Sequence, residues 1–383
     1  MDKKKVLLLV AGDNGTIGLC SLNLYEAFKM APEYDVCCAV IHHFDDGYNG
    51  FGDAIYYENG SESDGSSQRK WLRNIKKNFK PDVTISTLFG VSTLSLLAGG
   101  SDKKIGIFHS PHYQIKAKGW TKYLFTLLQY TFLYPRLDKL CCVSEEVKDS
   151  LSAFPWIRER KKQVVYNVHN LDQIIEKSKV TIEEPVEREI FNHPTIIFCG
   201  RLDRNKAPIR SIEAFAKAVK PIDAQLVFLG NDEEGLQPEL ETKAKELGIA
   251  NNVHFLGRKQ NPYKYIHAAK ALISTSYSEG LPGVMIEALT LGITVVTTNS
   301  SRGIWEIFYE PEKYDKNLDG IFENDCGFIT SNLSAKAPSN YNKDIDNLAG
   351  AIGKTFSKGR VEKFEFSHCV KAETILTQLL SNL

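Results

Sequence analysis

No stretch of the 383 residues approaches the roughly 20 uncharged apolar positions that a membrane-spanning helix needs, so no spanning segment is expected. The opening MDKKKVLLLV has a charged start but only a five-residue apolar run before Ala11-Gly12-Asp13, too short for a signal peptide, and it reads as a first β-strand. Charge of one sign is not in excess either. With 47 Lys and Arg against 47 Asp and Glu, the basic surplus expected of a nucleic-acid binder is missing, and nucleic acid is not expected as a partner. The eight cysteines include no Cys-x-x-Cys and no Cys/His ligand spacing. Cys37-Cys38 and Cys141-Cys142 lie inside apolar runs, which fits buried thiols in a reducing cytoplasm better than disulfides or zinc. G-x-G-x-x-G is absent as well, because glycines 12, 15 and 18 have another spacing, and no acid ends the second apolar run, VCCAVI. No Asp-x-Asp occurs at a strand end, so neither a metal ion nor a cofactor is required.

What is present is an ordinary globular composition, 43% apolar and 25% charged, on a chain longer than one core usually supports. Up to Asn170 there are 22 basic and 18 acidic residues, against 25 and 29 afterwards, so the first half is mildly basic. Short apolar runs alternate with helical periodicity in both halves: KVLLLV, VCCAVI, DVTIST, KIGIFH and CCV, then PTIIFCG, AQLVFLG, NVHFLG, ALISTS and ITVVTT. This alternation predicts two parallel, doubly wound α/β domains. The first is expected over residues 1–172, closing with VVYNVHN. A polar, Pro-punctuated linker is expected over 173–193, a second domain over 194–360, and a terminal helix over 361–383. Residues 45–64 carry six acids and no Lys or Arg and read mostly as loop, whereas Arg69 to Lys80 places six basic residues and no acid on a helix.

The chemistry is expected at strand ends, where open α/β sheets place their ligands. The strongest pattern is YSEGLPGVMIEAL, Tyr277 to Leu289. Pro282 and Gly283 suit a loop entering a helix whose first-turn amides can hold an anion, so Leu281 to Val284 becomes a candidate phosphate cradle. Glu287 then lies about one and a half turns into the helix, while Glu279 sits on the loop before it. Each carboxylate alone could equally be a solvated residue. Gly200-Arg201 ends an earlier strand and Lys206 opens the next helix; converging cations of this kind neutralise a leaving diphosphate. His109 and His112 follow the strand KIGIF, and a lone His there is more often structural, the reading kept for His112.

This set resembles the Glu-x7-Glu signature of the family 4 glycosyltransferases, and the resemblance extends over nearly the whole chain. It implies the GT-B fold, two Rossmann-like domains facing a cleft with the last helix crossing back to the first, and retaining, metal-independent transfer from a nucleotide sugar to an acceptor. By the same resemblance Glu287 binds ribose hydroxyls and Glu279 sugar hydroxyls, the amides near Gly283 and Val284 hold phosphate, and Arg201 and Lys206 serve the β-phosphate. His109 stands beside the donor sugar, the Gly15-Thr16 loop approaches phosphate or acceptor, and Arg258 with Tyr263 or Tyr265 lies near the base, although core packing also explains the tyrosines. Two departures stand out: Ala207 replaces the usual glycine after Lys206, and Val168-His169-Asn170 replaces the usual Gly and Asp of the exit strand. The compact EGLP form leans toward a UDP donor and a hexose or N-acetylhexosamine. An epimerase or phosphorylase of the same architecture, or a non-catalytic binding module, uses the fold without needing all four of Arg201, Lys206, Glu279 and Glu287.

One stretch is not absorbed by this chemistry. From Trp120 to Tyr134 ten of fifteen residues are Trp, Tyr, Phe or Leu, and Lys118, Lys122, Thr126 and Gln129 form a polar stripe at helical spacing. With the basic helix 69–80, this predicts a peripheral contact with anionic membrane and a lipid-linked or glycan acceptor. The alternative is a buried core helix beside a solvated basic one.

Overall fold

The computed structural model describes residues 3–44, 47, 49–57, 65–113, 119–219, 223–335 and 337–381. Lys118 and half of the acidic stretch 45–64, with five of its six acids, lie outside them.

The chain forms two compact units, one of residues 1–170 and 368–383, the other of 171–367. In the first, β1 (Lys4–Gly12), β2 (Tyr34–His42), β3 (Ile55–Tyr56), β4 (Val83–Ser86), β5 (Lys103–Phe108), β6 (Lys139–Cys142) and β7 (Lys162–Val164) make an all-parallel sheet in the order β3-β2-β1-β4-β5-β6-β7. Between β2 and β4 lies β1, whose Val6 to Val10 are wholly buried, as a strand covered on both faces must be. Leu7 pairs with Cys37 on one side and Thr84 on the other. Helix α1 (Gly15–Met30) follows β1 directly. Gly18 permits the tight join, since a Cβ there would come within 2.7 Å of the Asp13 carbonyl carbon.

Helices α2 (Gly65–Phe79), α3 (Phe89–Ala98), α4 (Trp120–Phe132) and α5 (Glu145–Ser150) link successive strands stepping in one direction along the sheet. Right-handed crossovers therefore place these four on one face and α1, which steps the other way, on the opposite face. Ser144 caps α5, its Oγ accepting from the Val147 amide at 3.3 Å.

The second unit starts with α6 (Leu171–Ser178) and α7 (Pro185–Ile190), so the stretch 173–193 carries two helices. Its strands β8 (Thr195–Cys199), β9 (Gln225–Leu229), β10 (Val253–Phe255), β11 (Ala271–Ser274), β12 (Thr294–Thr298), β13 (Ile321–Asn324) and β14 (Gly327–Thr330) run in the order β10-β9-β8-β11-β12-β14-β13, with only β13 antiparallel. Between them lie α8 (Pro208–Ala218), α9 (Gln237–Glu246), α10 (Tyr263–Ala268), α11 (Gly283–Thr290) and α12 (Arg302–Ile307), and α13 (Tyr341–Thr355) follows the last strand. Helix α14 (Ala372–Leu380) belongs to the first unit, where it packs on α1. Lys139 fixes its C-terminus: the ammonium donates to the carbonyls of Gln378 at 2.9 Å, Leu379 at 3.1 Å and Ser381 at 2.6 Å. Two Rossmann-like parallel sheets make this the GT-B fold.

Candidate active site

Each sheet has a switch point, β1/β4 in the first unit and β8/β11 in the second, where the connections turn in opposite directions and a crevice opens at the carboxyl ends. The loops leaving β8 and β11 hold Gly200, Arg201 and Lys206, and Glu279, Leu281 and Pro282. They are stitched together: the Tyr277 amide donates to the Asn205 carbonyl at 2.8 Å, Asn205 Nδ2 to the Ser278 carbonyl at 2.9 Å, and Thr275 Oγ1 to the Ala207 carbonyl at 2.9 Å.

On this frame Lys206 Nζ lies 2.6 Å from Glu279 Oε1, and Ser276 Oγ donates to the same oxygen at 2.6 Å. Arg201 extends from Gly200 to Asp203 Oδ2 at 3.0 Å and Glu233 Oε2 at 3.4 Å, and remains largely exposed. Asp203, buried, also accepts from the Lys206 backbone amide at 2.7 Å, so one carboxylate holds the Arg201 guanidinium and the main chain at Lys206. Ala207 caps α8 in the left-handed region at φ 46°, ψ 54°, the conformation that a glycine adopts without strain. Behind the frame, Arg210 Nη1 donates to the Thr275 carbonyl at 3.2 Å and to Asn332 Oδ1 at 2.9 Å. Asn332 Nδ2 reaches the Tyr277 carbonyl at 3.0 Å.

Helix α11 begins at Gly283 with Pro282 at its N-cap, so no side chain caps the first-turn amides. Leu281 and Pro282 are buried, while Gly283 and Val284 are partly exposed. Gly303 of α12 meets this loop: a Cβ there would stand 2.2 Å from the Gly280 carbonyl oxygen. Glu287 is buried, and burial pushes its carboxyl up to about 7. The neighbouring Cys199 thiol is pushed up to about 12, by burial first and by the charge of Glu287 second. Arg258, after β10, is exposed; Tyr263 and Tyr265 are buried, the latter donating its hydroxyl to Glu187 Oε2 at 2.6 Å.

In the first unit Gly15 and Thr16 are exposed at the start of α1. His109 follows β5, its Nε2–H donating to the Thr87 carbonyl at 3.0 Å. This leaves Nδ1 as the acceptor, and burial lowers the imidazole to about 4, so the ring is neutral. It lines a small pocket with Thr87, Ser21, Asn167 and Ile375. His112 is packed among Tyr113, Tyr123, Tyr130 and Phe154, an aromatic cluster consistent with a structural residue.

Asp203, Ser276, Arg210 and Asn332 were not singled out from the sequence. Asp203, three residues before Lys206 in RLDRNK, had the one local signal.

A partly exposed, uncapped helix start, two cations and two carboxylates thus lie on the loops and helix at a switch point of a GT-B scaffold. Two family profiles match the chain: Glycosyltransferase Family 4 over residues 48–173 and Glycosyl transferases group 1 over 180–318. The chain belongs to the family 4 glycosyltransferases, retaining enzymes that use nucleotide sugars. Among its relatives is an uncharacterized glycosyltransferase of Methanocaldococcus jannaschii, 25% identical over 69% of this chain and 66% of that one. Another is a Campylobacter jejuni enzyme named as a GalNAc-GalNAc-diNAcBac-PP-undecaprenol N-acetylgalactosaminyltransferase, 28% identical over 78% of this chain and 74% of that one. The chain thus spans about two thirds to three quarters of these relatives. The crystal structure of Anabaena HepE in complex with UDP and glucose superposes with a TM-score of 0.68 over 98% of both chains at 16% identity, a likeness of fold.

Proposed function

We propose that the protein transfers a hexose or N-acetylhexosamine from a UDP-sugar to a lipid-linked glycan, with retention, in cell-surface glycan assembly. The observation that carries this is the contact of Lys206 with Glu279 beside the uncapped start of α11: a phosphate-seeking cation and a hydroxyl-seeking carboxylate share one point. Glu287 grips the ribose hydroxyls and the Gly283 and Val284 amides take phosphate, with Gly200 and Leu281 to Pro282 shaping the loops. Arg258 and Tyr263 border the base. Glu279 holds the sugar hydroxyls, and His109, neutral and fixed by Thr87, accepts from the sugar through Nδ1. Gly15 and Thr16 offer amides to phosphate or acceptor.

In the transfer the bond from the anomeric carbon to the β-phosphate oxygen breaks. The acceptor hydroxyl oxygen bonds to that carbon on the same face, and its proton passes to the departing β-phosphate. Arg201 and Lys206 stabilise the charge gathered there, so the chain's own cations meet the main electrostatic demand. The acceptor class is supported by the Campylobacter relative's name and the UDP donor by the nucleotide in the HepE complex. Eight free cysteines suit a cytoplasmic setting.

Thermal melting against a panel of nucleotide sugars identifies the donor, since a ligand of the native state raises Tm with concentration. Transfer to an undecaprenyl-diphosphate-linked glycan then checks the reaction. Interconversion of the donor sugar without acceptor, or binding without turnover on any glycan acceptor, overturns the reading.

A further inference from the structure

We propose that Glu187 is a positioning residue for nucleotide selectivity, holding the β10–α10 loop in the shape that receives the base; this rests on the donor reading above, in which Arg258 and Tyr263 border the base. Helix α7, which carries Glu187, buries none of its six residues, so core packing does not set its place. Its inward contact is polar. The Glu187 side chain is 14% exposed, Oε1 accepting from Lys259 Nζ at 2.5 Å and Oε2 from the Tyr265 hydroxyl at 2.6 Å. Phe191, just past the helix, adds a ring contact with Tyr265 at 5.8 Å. Burial raises the Glu187 carboxyl, but the bonds from Lys259 and Tyr265 and the charges of Lys259 and Lys264 outweigh it and hold the group below its ordinary value. Each oxygen of one ionised carboxylate thus holds one donor.

Lys259 lies in the loop 256–262, and Tyr265 stands on the first turn of α10 behind it. Strand β10 has three residues and forms an edge of its sheet, so the loop leaving it has a neighbouring strand's loop on one side alone. There the Gly230 amide donates to the Gly257 carbonyl at 3.0 Å, and Gly230 approaches Gly200 so closely that a Cβ on it would stand 1.9 Å from the Gly200 carbonyl oxygen. Further ties run to the segment 177–187. Besides Glu187, the Lys177 carbonyl accepts from Asn261 Nδ2 at 2.8 Å and the Thr181 carbonyl from Lys264 Nζ at 3.4 Å. Arg258, exposed, sits between Gly257, in the left-handed region at φ 66°, and the anchored Lys259. Release of Lys259 therefore loosens the residues assigned to the base and leaves Lys206 and the start of α11 in place.

Calorimetry with UDP, with ADP and with inorganic pyrophosphate tests this on the wild type, Glu187→Gln, Lys259→Met and the double variant. Glu187→Gln should weaken the better-bound nucleotide about fivefold or more and narrow the preference between the two, as changes one residue removed from a ligand can. Pyrophosphate, which probes the phosphate contacts alone, should bind as it does to the wild type. Lys259→Met should act in the same way, and the double variant should lose no more than the more affected single one, since both changes break one contact. In turnover the donor KM should rise with kcat unchanged, the mark of lost uniform binding. Equal nucleotide affinity in all four proteins, nucleotide and pyrophosphate weakened alike, additive losses in the double variant, or a lowered Tm alone would each overturn the role of Glu187, while UDP binding by the wild type still upholds the donor reading. A wild type that binds neither nucleotide would overturn both.

Discussion

Lys206 and Glu279, 73 residues apart, meet at 2.6 Å, and Ser276 donates to the carboxylate oxygen they share. Without donor each neutralises the other, so a β-phosphate entering beside Lys206 releases Glu279 toward the sugar. Lys206→Ala should therefore lower kcat by on the order of a hundredfold or more, as removal of one stabilising donor usually does. Arg201→Ala, largely exposed and held by Asp203 and Glu233, should do the same without lowering Tm. Steady-state assays on both variants check this, and full activity in either would remove the cation pair from the mechanism.

The two glutamates should separate in binding. Glu287→Gln should weaken UDP and donor alike, while Glu279→Gln should leave UDP binding intact and lower turnover and sugar selectivity. Calorimetry with UDP alone distinguishes them; equal loss of UDP affinity in both variants would refute the assignment.

Protonation of Glu287 supplies an independent readout. Burial raises its carboxyl to about 7, so the folded state binds a proton that the unfolded chain releases near its ordinary value of 4.5. Its effect is to lower stability as pH rises from about 4.5 to 7, and Glu287→Gln should be the more stable protein above pH 7 by on the order of 1–3 kcal/mol. Hydroxyls donating to the carboxylate favour its ionised form, so nucleotide binding near pH 6.5 should release a proton. Calorimetry in buffers of different ionisation heat measures that release, and an unchanged heat would mean that the carboxyl is already ionised.

The parts of this site readable from sequence were those written locally. Glu279, the Gly-Leu-Pro-Gly turn and Glu287 lie within nine residues, and their offsets fix a loop, a helix start and a buried turn. Strand alternation gave both sheets for the same reason, because a run such as Val6 to Val10 has few fates other than a central parallel strand. Partners joined across the chain left no such trace. Arg210 looks like a solvated charge in IRSIEAFAKAV, yet its partners are 65 to 134 residues away. Helix α4 showed its aromatic density but not its orientation, in which Thr126, Gln129 and Tyr130 are buried and Gln129 Nε2 donates to Thr93 on another helix.

That buried network yields the last expectation. Arg210 and Asp344 are both wholly buried and pair at 3.3 Å. Burial raises the Asp344 carboxyl, but hydrogen bonds from Ser331 and Ser334 and the Arg210 charge outweigh it and hold the group below the usual range. Asp344→Asn leaves a buried guanidinium without its counter-ion and should cost about 3–5 kcal/mol, whereas Arg210→Met with Asp344→Leu should cost much less than the two single changes together. The paired variant still lacks the donor to the Thr275 carbonyl and to Asn332, two of the supports of the loop carrying Ser276 and Glu279. Its stability should recover further than its kcat. Denaturant unfolding and turnover measured on the same three variants check this, and full recovery of both would show that Arg210 serves the core alone.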